Sequence, residues 1–172
     1  VAVVRVSGGK IRDRWTTLIN PGDNVDVGPT KIHRIKKEWL QNAPTFADIA
    51  PDLLTLLQGT VLVAHNAKFD ISFLEKELER TDLPTDDLDM LYWDTMEIAN
   101  ILGAKTKKLA DVAKAAGVKV KKAHQALDDA EALGSIIAKV VPGAPKKQKV
   151  PLFEAPAGLL PSGRALLRPR VG

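Results

Sequence analysis

Residues 60–64 (TVLVA) form a short apolar, β-branched run with no polar alternation. Such a run reads as a strand buried on both faces. A strand of that kind belongs in a parallel or mixed sheet with helices on either side. The flanking sequence agrees. Upstream, Pro44-Thr45 opens a helical stretch with Phe46, Ile49, Leu53, Leu54 and Leu57 at helical spacing, and Gly59 ends it. Downstream, residues 70–79 read as an amphipathic helix with Phe73, Leu74 and Leu78 turned inward.

The rest of the chain extends this α/β pattern. Residues 1–6 are an apolar run, Ser7-Gly8-Gly9-Lys10 reads as a hairpin turn, and residues 11–20 follow as a second strand. Pro29-Thr30 introduces a helical stretch that includes Ile35, Trp39 and Leu40. Residues 88–93 read as a last strand, and Asp94 or Thr95 as the cap of a helix over 96–102. Helices follow over 109–116, stopped by Gly117, and over 126–141, with Leu127, Ala130, Leu133 and Ile137 on one face. Beyond Val141, six prolines from Pro142 to Pro169 interrupt every candidate element. The expected organisation is one domain over residues 1–141 and a flexible Pro/Lys/Arg-containing tail over 142–172.

Composition narrows the chemistry. The chain has no cysteine, which excludes disulfides, thiolate metal sites and Cys nucleophiles. No apolar run approaches the ~18 residues of a membrane helix, and there is no signal-peptide pattern, so no membrane partner is expected and the reading fits a cytoplasmic protein. The net charge of +4 is unevenly spread. From Lys139 onward seven basic residues face Glu154 alone, so residues 1–138 are mildly acidic. A basic sequence pI of 9.3 would suggest nucleic acid for the whole chain; the body does not share that charge. Lys105, Lys107, Lys108, Lys119, Lys121 and Lys122 surround the stretch before His124 and read equally well as a phosphate-attracting face or a solvated one.

Two segments hold the candidate chemistry. In His65-Asn66-Ala67-Lys68-Phe69-Asp70 the residues follow the buried strand and open a helix. Ligand sites in α/β sheets favour the carboxyl ends of strands. Asp70 in a first helical turn suits either a cation ligand that must stay ionised or a simple complement to the helix dipole. In His124-Gln125-Ala126-Leu127-Asp128-Asp129, two helical residues five apart would lie about 140° apart. His124 and Asp129 can share a site only if His124 stands on the preceding loop. His124 then suits a general base at neutral pH, and Asp129 a metal ligand; a capping His with a solvated acid pair is the plainer alternative.

Taken together, these segments resemble the DEDDh (DnaQ-like) exonucleases, which include the proofreading subunit of bacterial replicative polymerases. That family carries an HNAxFD segment, here His65 to Asp70, and later an HxAxxD segment, here His124 to Asp129. Leu18-Ile19-Asn20-Pro21, Ile32-His33, Asn42-Ala43-Pro44-Thr45-Phe46 and Asp94-Thr95 are similar to further family segments. The resemblance covers roughly the whole body, residues 1–140. It implies a ribonuclease H-like mixed sheet flanked by helices and a metal-dependent 3′→5′ exonuclease acting on DNA 3′ ends in proofreading, repair or end trimming. Asp70 and Asp129 would hold two Mg²⁺ or Mn²⁺ ions, and His124 would be the base. Ile32, His33, Asn66 and Phe69 would hold the 3′-terminal nucleotide. Two such ions stabilise charge on both the attacking and leaving oxygens of phosphodiester hydrolysis, and hard cations prefer carboxylate oxygens. Single-stranded DNA is the expected partner, with RNA the other substrate of this architecture.

The chain departs from the family at two places. Arg34 stands where the family usually has Gly. The family's Asp-x-Glu pair on its first β-strand is not found; the Asp-x-Glu at Asp129-Ala130-Glu131 belongs to the later motif. The expected fold therefore lacks its first strand, and the resemblance implies an upstream segment that carries the pair. The alternative is a catalytically incomplete nucleic-acid-binding or polymerase-docking module. In the tail, Lys149-Val150-Pro151-Leu152-Phe153 resembles the Gln-Leu-x-Leu-Phe peptides by which bacterial replication proteins bind the sliding clamp; Leu152 and Phe153 match, and the opening Gln does not.

Overall fold

The computed structural model describes residues 1–83, 89–120 and 125–140, and the short stretch 163–166; for Asp89, Met90 and 163–166 the backbone alone is described. The expectations at His124, Lys121, Lys122, Leu152 and Phe153 lie outside the described residues.

The chain opens with a hairpin. β1 (Ala2–Ser7) pairs antiparallel with β2 (Lys10–Thr16) across Gly8 and Gly9. Both glycines have positive φ, which the two-residue turn requires. The register slips between Arg5 and Val6, a bulge in the ladder. β2 ends at Thr16, short of the expected Asn20, because the chain leaves the ladder to meet a loop: the Asn20 amide donates to the Pro44 carbonyl.

Two single-turn helices follow, α1 (Thr30–His33) and α2 (Lys37–Leu40). α3 (Phe46–Leu57) starts at a capping box in which Thr45 and Asp48 exchange hydrogen bonds. The hydrogen bonds from Thr45 hold the Asp48 carboxyl below its ordinary pKa. Phe46, Ile49, Leu53 and Leu57 are buried as their spacing predicts. β3 (Leu62–Ala64) is the buried run from which the sequence reading began, and it leads into α4 (Ala67–Leu78). β4 (Asp89–Asp94) runs parallel to β3, with Ala64 beside Asp94. α5 (Thr95–Ile101), α6 (Leu109–Ala115) and α7 (Ala126–Val140) complete the body.

β5 (Gly163–Leu166) falls inside the segment expected to be a tail, yet it pairs antiparallel with β4. The outer edge of β4 offers a row of backbone donors and acceptors, and a proline-free stretch can satisfy them.

The described strands form two sheets, β1-β2 and β3-β4-β5. They share one core. On one face Val3 and Trp15 pack with Leu62, Ala64 and the buried side of α3 and α4. On the other Val6 packs with Val61, Val63, Trp93, Ile98 and Ile137. α7 spans the second face and touches β1, β2 and β3. It fits closely because Gly134 faces the hairpin: a Cβ there would stand 2.9 Å from Val4 Cγ1. Of the stripe predicted on α7, only Ile137 is fully buried; Ala132, Gly134 and Ile136 are buried with it. The helix is covered from two sides, by the sheets and by α6, so its inward arc is rotated from the single face that periodicity suggests.

Candidate active site

The site is built at the carboxyl end of β3, where the strand passes into α4. The turn is sharp: Asn66 takes the left-handed conformation at φ 72°, which Asn tolerates better than most side chains. α4 therefore begins at Ala67, three residues before the start the sequence suggests. Its exposed amides are met from β4. The Asp94 carboxylate accepts from the Asn66 and Ala67 amides, each at 3.0 Å, and from the Met96 amide at 2.9 Å. One side chain thus caps α5 and clasps the start of α4. The parallel register that puts Asp94 beside Ala64 makes this possible.

Thr95 is fully buried next to it. Its hydroxyl donates to the Ala64 carbonyl at 3.2 Å and shares a 2.8 Å hydrogen bond with His65 Nδ1. His65 is the hub of the site. Burial lowers its pKa below the ordinary value, against the opposing pull of Asp94, a hydrogen bond to the Lys107 backbone, Asp129 and Asp70. The nearest side-chain partner the structure gives this ring is Thr95; Asp70 sits in the first turn of α4 and Asp129 in the first turn of α7. Burial of its protein-facing side raises the Asp70 pKa, and Asp94 adds to the rise. A carboxyl held in that way gains from a bound cation.

The donor chemistry suits a hard divalent ion, but the donor number falls short. Among the described residues, no group of three or more His, Asp or Glu side chains could hold a metal ion. Asp70 and Asp129 by themselves do not make up a metal site among the described residues.

The predicted nucleotide-holding residues are placed as follows. Ile32 and Phe69 are large apolar side chains left open to solvent, 52% and 58% exposed. Asn66 is exposed at the turn before α4. His33 is engaged internally: its Nδ1 accepts from the Ile35 amide at 3.0 Å and its Nε2 lies 3.1 Å from the Val27 carbonyl. That ring braces the loop which projects Ile32. Between them Arg34 is left-handed, at φ 61°, which is why glycine is the usual residue there. Phe73, expected in the core, is instead 55% exposed and pairs with Phe69. Sequence reasoning missed the Asp94 clasp and the hub role of His65. Both depend on strand pairing, for which Asp94-Thr95 gave only the local signal of a helix cap.

A model of the exonuclease family named for RNase T matches residues 1–137. The chain belongs to this exonuclease family. Among curated relatives, a PolC-type DNA polymerase III of Caldanaerobacter subterraneus subsp. tengcongensis is 31% identical over 143 residues, which span 82% of this chain and 10% of the relative. The 3′-5′ exonuclease DinG of Bacillus subtilis is 28% identical over 143 residues, 82% of this chain and 15% of the relative. The exonuclease-family chain therefore spans a small part of these longer proteins.

Among solved structures, exonuclease X in complex with 5′ overhanging duplex DNA superposes with a TM-score of 0.57 at 26% identity, covering 78% of this chain and 76% of that one. A 3′-exonuclease described in 3′-end specific recognition of a histone mRNA stem-loop gives a TM-score of 0.66 at 17% identity, covering 80% and 68%, and bears on the fold alone. The fold of this exonuclease-family chain is ribonuclease H-like, as expected. No helix among the described residues is long and apolar enough to cross a membrane.

Proposed function

We propose that this domain is a divalent-metal-dependent 3′→5′ exonuclease that shortens DNA from its 3′ end. The observation that carries the reading is the match of residues 1–137 to the exonuclease family, in which Asp70 in the first turn of α4 and Asp129 in the first turn of α7 are the candidate acids. Asp70 and Asp129 would hold Mg²⁺ or Mn²⁺, two ions in the full site, with further carboxylates completing the set. Bound ions would supply charge stabilisation at the phosphodiester. His124, which precedes α7 in sequence, would take the proton from the attacking water. Ile32 and Phe69 would receive the terminal nucleotide, Asn66 would contact it, and His33 would hold the loop that presents Ile32. The relatives named for a polymerase and for a 3′-5′ exonuclease favour DNA as substrate and a replication or repair setting. RNA is the other substrate to test, since a 3′-exonuclease of this fold is described in recognition of a histone mRNA stem-loop. A polymerase, or a sliding clamp engaged through Leu152 and Phe153, would be the protein partner.

The test is digestion of a 5′-labelled single-stranded DNA with Mn²⁺, beside EDTA and an Asp129→Ala variant. The expected result is a ladder shortened from the 3′ end that both treatments abolish. A ladder that persists in EDTA or in the variant would overturn the reading.

One observation favours a second reading, a nucleic-acid-binding or polymerase-docking module without catalysis: the described residues hold no three-donor metal group. That module would bind single-stranded DNA equally well with and without EDTA and leave it intact.

A further inference from the structure

The helix that carries Asp70 presents a second aromatic ring, Phe73, which the catalytic reading leaves unused. Phe69 and Phe73 are one helical turn apart on α4, and side chains four residues apart lie on one face. Their rings are 4.8 Å apart between centroids, tilted by 48°, and both stay more than half exposed. A core phenylalanine would be buried; a solvent-facing aromatic pair leaves a large apolar surface wet. Asp70 lies three residues before Phe73, about 60° round the helix from it, so the acid stands to one side of the aromatic stripe. Lys76, also exposed, follows three residues after Phe73 along the same stripe. The next charges on that side, Glu77 and Arg80, form an ion pair, and Lys76 is an exposed cation on the same stripe.

We propose that Phe73 is a stacking platform for the second base from the 3′ end of a single strand. The inference rests on the exonuclease reading and extends its site from one nucleotide to two. The terminal base is held at Phe69, beside the acid. The next base stacks on Phe73, one helical turn or about 5.4 Å further. The phosphate beyond it meets Lys76. Bases stack on aromatic rings with little regard for sequence, since every base has a π-face. The platform therefore favours single-stranded ends, whose bases can splay apart, over paired ones.

The experiment measures binding without cleavage. Affinities of the full chain in EDTA are compared for a 5′-fluorescein-labelled deoxythymidine decamer and for the same decamer with an abasic second position from the 3′ end. Phe73→Ala, on an exposed site, is checked by circular dichroism to melt like the parent, and Phe73→Trp serves as the conservative variant. Phe73→Ala is expected to weaken binding of the intact decamer at least about five-fold. It should leave the abasic decamer unchanged, and Phe73→Trp should restore affinity. Equal affinity of Phe73→Ala and parent for the intact decamer, with the parent still producing the Mn²⁺ ladder, would overturn the platform and leave the exonuclease reading standing. Equal losses on both decamers would also overturn the platform. A parent that neither binds the decamer nor cuts it would overturn both.

Discussion

At the scale of single residues, what was legible depended on whether a side chain acts locally. Asp70 and Asp129 stand out as candidates because each sits in a contiguous motif whose spacing is itself the signal. His65 and Asp94 could not be given their roles, since the clasp of Asp94 on the Asn66 and Ala67 amides depends on a strand pairing. Arg34 lies between these cases. Its departure from glycine was visible, and its physical meaning is the left-handed backbone at φ 61°. A non-glycine residue in that region is disfavoured by roughly 1–2 kcal/mol. Glycine gives back about 0.5–1 kcal/mol in lost chain entropy. The balance favours glycine, so Arg34→Gly is expected to stabilise the fold by about 0.5–1 kcal/mol. A thermal melt should show a rise of a few degrees. A lowered melting temperature would mean that the arginine side chain stabilises this loop by more than the backbone strain.

At the scale of elements, periodicity found the helices and the buried strand, and failed where a neighbour sets the boundary or the face. α3 buries Phe46, Ile49, Leu53 and Leu57 of the expected face and leaves Leu54 at its margin, between a capping box that starts it and Gly59 just past its end. α4 begins early because its cap comes from β4, and Phe73 faces out although its position in the apolar stripe suggests the core. β5 was unreadable because its pairing depends on an edge elsewhere in the chain. α7 is the element with most at stake, since it holds both sheets. Gly134 allows its approach to the hairpin, with Val4, Val6 and Ile11 closing around the position. Alanine in place of glycine gains up to about 1 kcal/mol in helix propensity. A methyl 2.9 Å from Val4 Cγ1 must displace a β-branched side chain of the strand, and such overpacking costs about 1–3 kcal/mol. The clash wins. Gly134→Ala is expected to destabilise by about 1–2 kcal/mol, read as a lower midpoint in urea at unchanged slope. A midpoint at or above the parent's would show that helix and hairpin can move apart.

At the scale of the whole molecule, the two sheets act as parts of one layer: residues of both enter the same two clusters, and one helix bridges them. The acids are held by this arrangement, Asp70 at the start of α4 and Asp129 near the start of α7. Partial desolvation, and then the neighbouring Asp94, raise the Asp70 pKa, so the ionised carboxylate is less favourable there than in the unfolded chain. A bound divalent ion reverses that balance, and ligand binding to the folded state raises its stability by mass action. The two effects have opposite signs in an Asp70→Asn variant. Asp70 is exposed, so its desolvation is partial; without metal, the neutral amide removes that small penalty and the repulsion from Asp94, and the variant should melt at or slightly above the parent. With Mn²⁺ at about a hundred times the parent's dissociation constant, the parent should gain about 2–3 kcal/mol, or roughly 5–10 °C at this chain length. The variant should gain little, so the order of melting temperatures inverts. Melting curves in EDTA and in Mn²⁺ for both proteins decide it. An equal rise in parent and variant would place the ion away from Asp70, and the carboxylate would then serve only the start of its helix.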